Sequence, residues 1–116
     1  TDTDCDSTHA MIGWVAEMPL GAHDASGTAT IVDDCTVELT HFSYDGAGLS
    51  VKMYGGLGGD YAAGFAISED ILGVTFVDET KTLTLPNDKT FDDMNGISVW
   101  CITVGVSFSD ALFAPL

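Results

Sequence analysis

Arginine is absent from this chain of 116 residues, and cationic side chains are limited to three lysines, Lys52, Lys81 and Lys89. Against them stand eighteen aspartates and glutamates, which leaves a formal net charge of −15. A domain this acidic is repelled by nucleic-acid phosphates and anionic lipid head groups, so neither is expected as a partner. Long hydrophobic runs are missing as well. The longest stretch without a charge ends at Ser109 and falls short of the roughly 18 apolar residues of a membrane helix, so no membrane insertion is expected.

Catalytic and metal signatures are also lacking. There is no Gly-x-Ser-x-Gly elbow and no His-Glu-x-x-His pair, and His9, His23 and His41 fall in no recognisable motif. Zinc sites want Cys or His ligands two to four residues apart, and no such pairs occur. Asp2, Asp4 and Asp6 open like a calcium loop, but Ser7 stands where the sharp-turn glycine is needed and Gly13 where the bidentate glutamate belongs. Asp33-Asp34 and Asp92-Asp93 border expected strands, where adjacent side chains point to opposite faces and do not share an ion. No cofactor is implied. Calcium is the ion that acidic loops of this kind could attract, and metal ligands stay unassigned.

What is present reads as one β-rich domain. A chain of this length buries roughly two thirds of its unfolded surface and needs no staple to fold. Thirteen glycines and short apolar runs broken by Gly, Asp and Asn predict an all-β antiparallel sandwich, jelly-roll-like, in a single domain. The expected strands are 12–17, 27–32, 36–42, 49–54, 65–68, 71–77, 81–85 and 97–106, with a closing segment at 111–113. Residues 1–19 form an N-terminal arm and first strand, and 20–116 the sandwich proper. The glycine-rich run from Gly55 to Asp60 lacks the Lys-Ser or Lys-Thr of a phosphate loop and reads as a hairpin connection. Residues 89–96 read as a polar connection with room for one helical turn.

Three cysteines allow one internal disulfide and one leftover thiol, in three pairings. Cys5 with Cys35 is preferred, because Cys5 lies in a polar arm that would otherwise fray and Cys35 follows an apparent turn at Asp33-Asp34. Cys101 is then free, although pairing of Cys101, or a role as a small core hydrophobe, stays open. Taking 97–106 as one strand puts Trp100, Ile102, Val104 and Val106 on its richest apolar face. Cys101 then points away from that face, into shallow or partly polar surroundings. Tyr44 lies within Phe42-Ser43-Tyr44-Asp45-Gly46 and Trp100 beside Cys101, where such aromatics commonly serve as core or strand-edge packing. His23 reads as a turn histidine suited to tuning a nearby thiol, and His41 as a hydrogen-bonded histidine near a strand end.

Several ordered motifs carry a family likeness: His23-Asp24-Ala25-Ser26-Gly27-Thr28, Phe42-Ser43-Tyr44-Asp45-Gly46-Ala47-Gly48, Leu83-Thr84-Leu85-Pro86, and Ser98-Val99-Trp100-Cys101 followed by Phe108. Together, over residues 20–114, they resemble the DM-thirteen domain of Skeletor-type proteins. The resemblance implies a secreted or cell-surface all-β module, joined to DOMON or cytochrome b-type domains as redox partners. It also implies electron transfer centred on a characteristic cysteine, which Cys101 matches. Cys5 and Cys35 lie outside that signature, and Leu49-Ser50 replace the Pro-Asp that members often carry after the Gly-x-Gly turn. The expected function is a redox module built on Cys101, with Trp100, Tyr44 and His23 as its neighbours. The alternative is a non-catalytic adhesion or matrix module that presents acidic loops to cations or a protein, and a sugar-binding role ranks third.

Overall fold

Strand periodicity builds two sheets. In β3 (Thr36–Tyr44), Val37 and Leu39 turn inward while Glu38 faces solvent, as a half-buried antiparallel strand requires. The same alternation runs through β1 (Val15–Met18), β2 (Ser26–Asp33) and β4 (Val51–Leu57). β5 (Asp60–Ala66), β6 (Phe76–Thr84), β7 (Gly96–Cys101) and β8 (Val106–Leu112) complete the chain. The computed structural model describes residues 5–116, so Asp2 and Asp4 of the calcium-like opening lie outside the described residues.

One antiparallel sheet has the order β1-β2-β3-β6 and the other β5-β4-β7-β8. Their inner faces meet through Ala29, Ile31, Leu39 and Phe42 on one side and Val51, Met53, Ile97 and Val99 on the other, all fully buried. Each large aliphatic side chain taken from water in this layer contributes about 1.5–3 kcal/mol before conformational entropy is set against it. Phe91 and Met94, from the connection between β6 and β7, extend the same core.

Pairing register places the connections at two ends. Met18 pairs with Gly27, Tyr44 with Phe76 and Val51 with Cys101, so the segments 19–25, 45–50, 67–75 and 102–105 gather at one end, here called the loop end. The turns 34–35 and 58–59, the connection 85–95 and the N-terminal segment 5–14 lie at the other. That second end is fastened. Cys5 and Cys35 form a disulfide that spans 30 residues of sequence. The Asp34 carboxylate accepts from the Thr8 and His9 amides at 2.8 Å and from the Thr8 hydroxyl at 2.6 Å. His9 Nε2 reaches Asp92 Oδ1 at 3.0 Å.

Four sequence expectations are corrected. Residues 97–106 are not one strand: β7 stops at Cys101, and a turn closed by the Gly105 amide donating to the Cys101 carbonyl (2.8 Å) leads into β8. The face carrying Ile97, Val99 and Cys101 is therefore the inner one, while Val104 and Val106 are exposed in and after the turn. The inner layer selects the smaller set because the facing sheet already fills the space with Phe42, Tyr44 and Ile31.

Second, Gly55 and Gly56 belong to β4, where they pair with Ile97 and Gly96 of β7, and not to a hairpin loop; a side chain on Gly55 would collide with Met94. The turn itself is Gly58-Gly59, both at positive φ. Third, the expected strands at 71–77 and 81–85 give way to one strand, β6, preceded by a loop. Fourth, the connection expected at 89–96 ends at Asn95, where β7 begins with Gly96, and it holds turns without a helix. In β3 a bulge between Leu39 and Phe42 puts His41 (φ 51°) outward against Asp78 (2.8 Å) and returns Phe42 to the core.

Candidate redox site

Two of the sequence motifs converge at the loop end. The connection from β3 to β4, residues 45–50, crosses from one sheet to the other in six residues and bends sharply. Asp45 starts the bend by accepting the Ala47 amide on its own carboxylate at 2.8 Å. Gly46, Gly48 and Ser50 follow in left-handed conformations, with φ of 83°, 111° and 37°. Gly48 is needed for a second reason, since a Cβ there would sit 3.0 Å from the Phe108 ring. The loop is held from the β5–β6 connection. The Gly73 amide donates to the Gly46 carbonyl (2.8 Å), and the Asp70 carboxylate accepts from the Leu72 amide (2.9 Å), the Val51 amide (3.2 Å) and the Ser50 hydroxyl (3.2 Å). These donors, the Leu72 amide foremost, hold the Asp70 carboxyl below its ordinary value.

Beneath this loop lies the Cys101 thiol. It is 1% exposed, has no disulfide partner, and donates to the Leu49 carbonyl at 2.9 Å. Beside it stands Tyr44, also 1% exposed, whose hydroxyl donates to the Ala47 carbonyl. The Tyr44 phenol is pushed up to about 12, first by burial and then by the negative charge of Asp45. Both polar hydrogens of the pair are thus spent on carbonyls of the covering loop. No side-chain polar atom is left buried without a partner among the described residues.

His23 arrives from the other motif. It sits in a 3-10 turn, Ala22–Asp24, at a left-handed φ of 56°. Its carbonyl accepts the Asp45 amide (3.0 Å) and its Nδ1 lies 3.5 Å from Asp45 Oδ2. The imidazole packs on Phe108 with ring centroids 4.5 Å apart, and Phe108 stacks on Tyr44 at 6.3 Å. A row of rings, His23, Phe108 and Tyr44, therefore leads from the surface toward the thiol. Trp100 is not in this row. It adjoins Cys101 in sequence but points to the outer face of its sheet, where it contacts Tyr54 and Tyr61, each at 6.2 Å.

Phe108, Asp70 and the Leu49 carbonyl escape sequence reasoning as site members. Phe108 shows only as a motif residue, and the fold alone stacks it between His23 and Tyr44. Asp70, followed two residues on by the amide it caps, carries a local signal of the aspartate-turn kind that could have drawn attention. Among the described residues the one grouping of metal-ligating type is Cys5, Asp33 and Cys35, and its two sulfurs are already joined to each other.

Chemically, the arrangement does not suit a nucleophile. Solvent does not reach the sulfur, and its hydrogen bond goes to a carbonyl and not to an imidazole. The thiol is instead a shielded group covered by a loop and flanked by aromatic rings in an all-β frame. The class is a single-domain antiparallel β-sandwich. The chain belongs to the DM13 family: the family model described as electron transfer DM13 matches residues 20–113.

The chain is 27% identical, over 115 residues, to the cytochrome b561, DM13 and DOMON domain-containing protein of Arabidopsis thaliana. That match covers 96% of this chain and 13% of the relative. It is 32% identical over 100 residues to the B/C isoforms of the protein Skeletor of Drosophila melanogaster, covering 80% of this chain and 13% of the relative. The D/E isoforms give the same identity over 7% of their length. The chain thus spans 13% or less of the curated relatives it matches. No solved structure matches the chain. Among the described residues no helix is long and apolar enough to cross a membrane.

Proposed function

We propose that this chain is an electron-transfer module in which the Cys101 thiol is the oxidisable group, Tyr44 is its relay, and His23 with Phe108 forms the approach from the surface. The observation that carries this reading is a thiol with no disulfide partner, shut away beneath a strained loop whose carbonyls accept from both the thiol and the Tyr44 phenol. A family described as electron transfer supports it, as does a relative whose name couples this module to cytochrome b561 and DOMON domains. The partner of the proposed step is an oxidised haem or DOMON-type domain. That partner gains one electron, the S–H bond of Cys101 breaks, sulfur is left as a thiyl radical, and the proton leaves past the Leu49 carbonyl, its hydrogen-bond partner, to water outside the covering loop.

The Cys5–Cys35 disulfide fits a secreted or cell-surface setting, where oxidising conditions preserve such bonds. Of the arm at 1–19, residues 5–19 are fastened by the disulfide and β1 to the electron-transfer unit at 20–116. The reading of an acidic adhesion module that collects calcium has weaker support. Asp34 and Asp70 are engaged in capping backbone amides, and no three carboxylates converge among the described residues.

Stopped-flow oxidation by an outer-sphere one-electron oxidant such as hexachloroiridate(IV) tests the reading. A fast phase of one equivalent per chain is expected, absent in Cys101→Ser and slowed in Tyr44→Phe. A fast phase that persists in Cys101→Ser would show that the sulfur is not the centre.

A further inference from the structure

The loop end carries a hollow of about 230 Å³ lined by Asp24, Ser43, Tyr44, Asp45, Thr75, Phe76 and Val77. Tyr44, which is covered by the same loop as Cys101, forms one of the hollow's walls. Around the hollow, apolar side chains stand in water: Val77 is 71% exposed and Val74 46%. Its rim is acidic, with Asp24 and Asp45, and none of the three lysines lines it. Apolar walls beneath two carboxylates do not describe a small-cation site, which needs converging oxygens and no hydrocarbon. Anionic surfaces are repelled by the rim and by the net charge of −15.

We propose that this hollow is the docking surface for the redox partner, and that the partner presents there a lysine or arginine flanked by apolar side chains. The aliphatic stem of that cation lies along Val77 and Phe76, and its head reaches Asp24 and Asp45. Exposed valines give such a contact its apolar centre, while the carboxylates set its orientation and speed of approach. Docking at this place brings the partner over Tyr44, the residue next to the thiol. The inference rests on the electron-transfer reading of Cys101 and adds to it the surface used and the chemistry of the partner.

Reduced cytochrome c, a basic haem protein, is the probe. Amide chemical shifts of the isotope-labelled domain are followed during titration at low ionic strength. Shifts centred on Asp24, Asp45, Val74 and Val77 are expected. Asp24→Asn with Asp45→Asn is expected to weaken binding about tenfold. Asp88→Asn with Asp93→Asn, an equal change of charge at the fastened end, should alter it less than about twofold. Asparagine at 45 keeps the oxygen that accepts the Ala47 amide, so the loop itself is preserved. Equal weakening by the two pairs, shifts spread over the fastened end, or no binding at low salt would each overturn the proposal. Binding is read without electron transfer, so Cys101→Ser should dock normally. If it docks normally yet the fast oxidation phase survives, the reading of Cys101 fails while the docking surface stands.

Discussion

The two ends of the sandwich are built on opposite plans. At one, a disulfide, a carboxylate with three donors and a histidine–aspartate contact tie residues 5–14 to the β2–β3 turn and to the β6–β7 connection. At the other no covalent tie exists, and left-handed residues crowd together at His23, Asp24, Gly46, Gly48 and Ser50. Exposed apolar side chains are also more frequent there, with Leu49, Val74, Val77, Ile102 and Val104 all outward. Strained backbone and exposed apolar surface both cost stability, and they persist where the rest of a fold over-determines the segment. Stability is concentrated away from the unpaired sulfur, which leaves the loop end open to specialisation for contact and chemistry.

Breaking the fastened end should produce the largest effect. Replacing Cys5 and Cys35 by serine removes a cross-link across 30 residues, and urea unfolding is expected to show a loss of about 3 kcal/mol. The contrast between the ends predicts that Cys101 in the folded variant stays as slow to alkylate as in the parent. Fast alkylation there would show that the ends are coupled.

Next in size is Tyr44→Phe at the loop end. The change removes the donor to the Ala47 carbonyl, a part-buried hydrogen bond, at a cost of about 1 kcal/mol by chemical denaturation. It also alters the response to alkali. The Tyr44 phenol is raised from 10.0 to about 12 in the folded state, so its contribution is whole below pH 10 and disappears as pH rises toward 12. The phenylalanine variant should lose less stability than the parent over that window. Tyr61, raised by burial and then by Asp110, keeps part of the alkaline loss in both proteins.

The smallest and most discriminating test pairs Asp34→Asn with Asp70→Asn. Both carboxyls are lowered below 3.8, Asp34 first by the Thr8 hydroxyl and Asp70 first by the Leu72 amide. Each contributes stability above its unfolded value that is lost as pH falls through the folded one, so both variants should flatten the acid limb of a pH–stability curve. Only Asp70→Asn is expected to raise the alkylation rate of Cys101, since Asp70 fastens the Ser50 and Val51 side of the covering loop. Equal rates in the two variants would mean that the loop does not gate the thiol.

Much of the sandwich is legible from residue order. Alternation identifies the central parts of β2, β3 and β4, and glycine-bearing motifs mark the 21–25 and 45–50 connections that meet at the site. The inner face of β7 is not legible, because one missed turn at Ile102–Gly105 makes two strands look like one and joins their apolar residues into a false face. The strand expected at 71–77 fails for a related reason. Its apolar residues serve a loop that caps the site, where the Ile71 amide bonds to the Val51 carbonyl at 2.8 Å.

Order of residues alone determined the acidic character, the all-β class, the family likeness and the three cysteines with one left over, since these depend on composition, short-range periodicity and local motifs. Tertiary structure decided which side of Cys101 is inside, that Tyr44 stands beside it while Trp100 does not, and that His23 reaches the pair through Phe108. Those facts depend on register and on packing between two sheets, where residues more than 50 positions apart come into contact and no local pattern records the outcome.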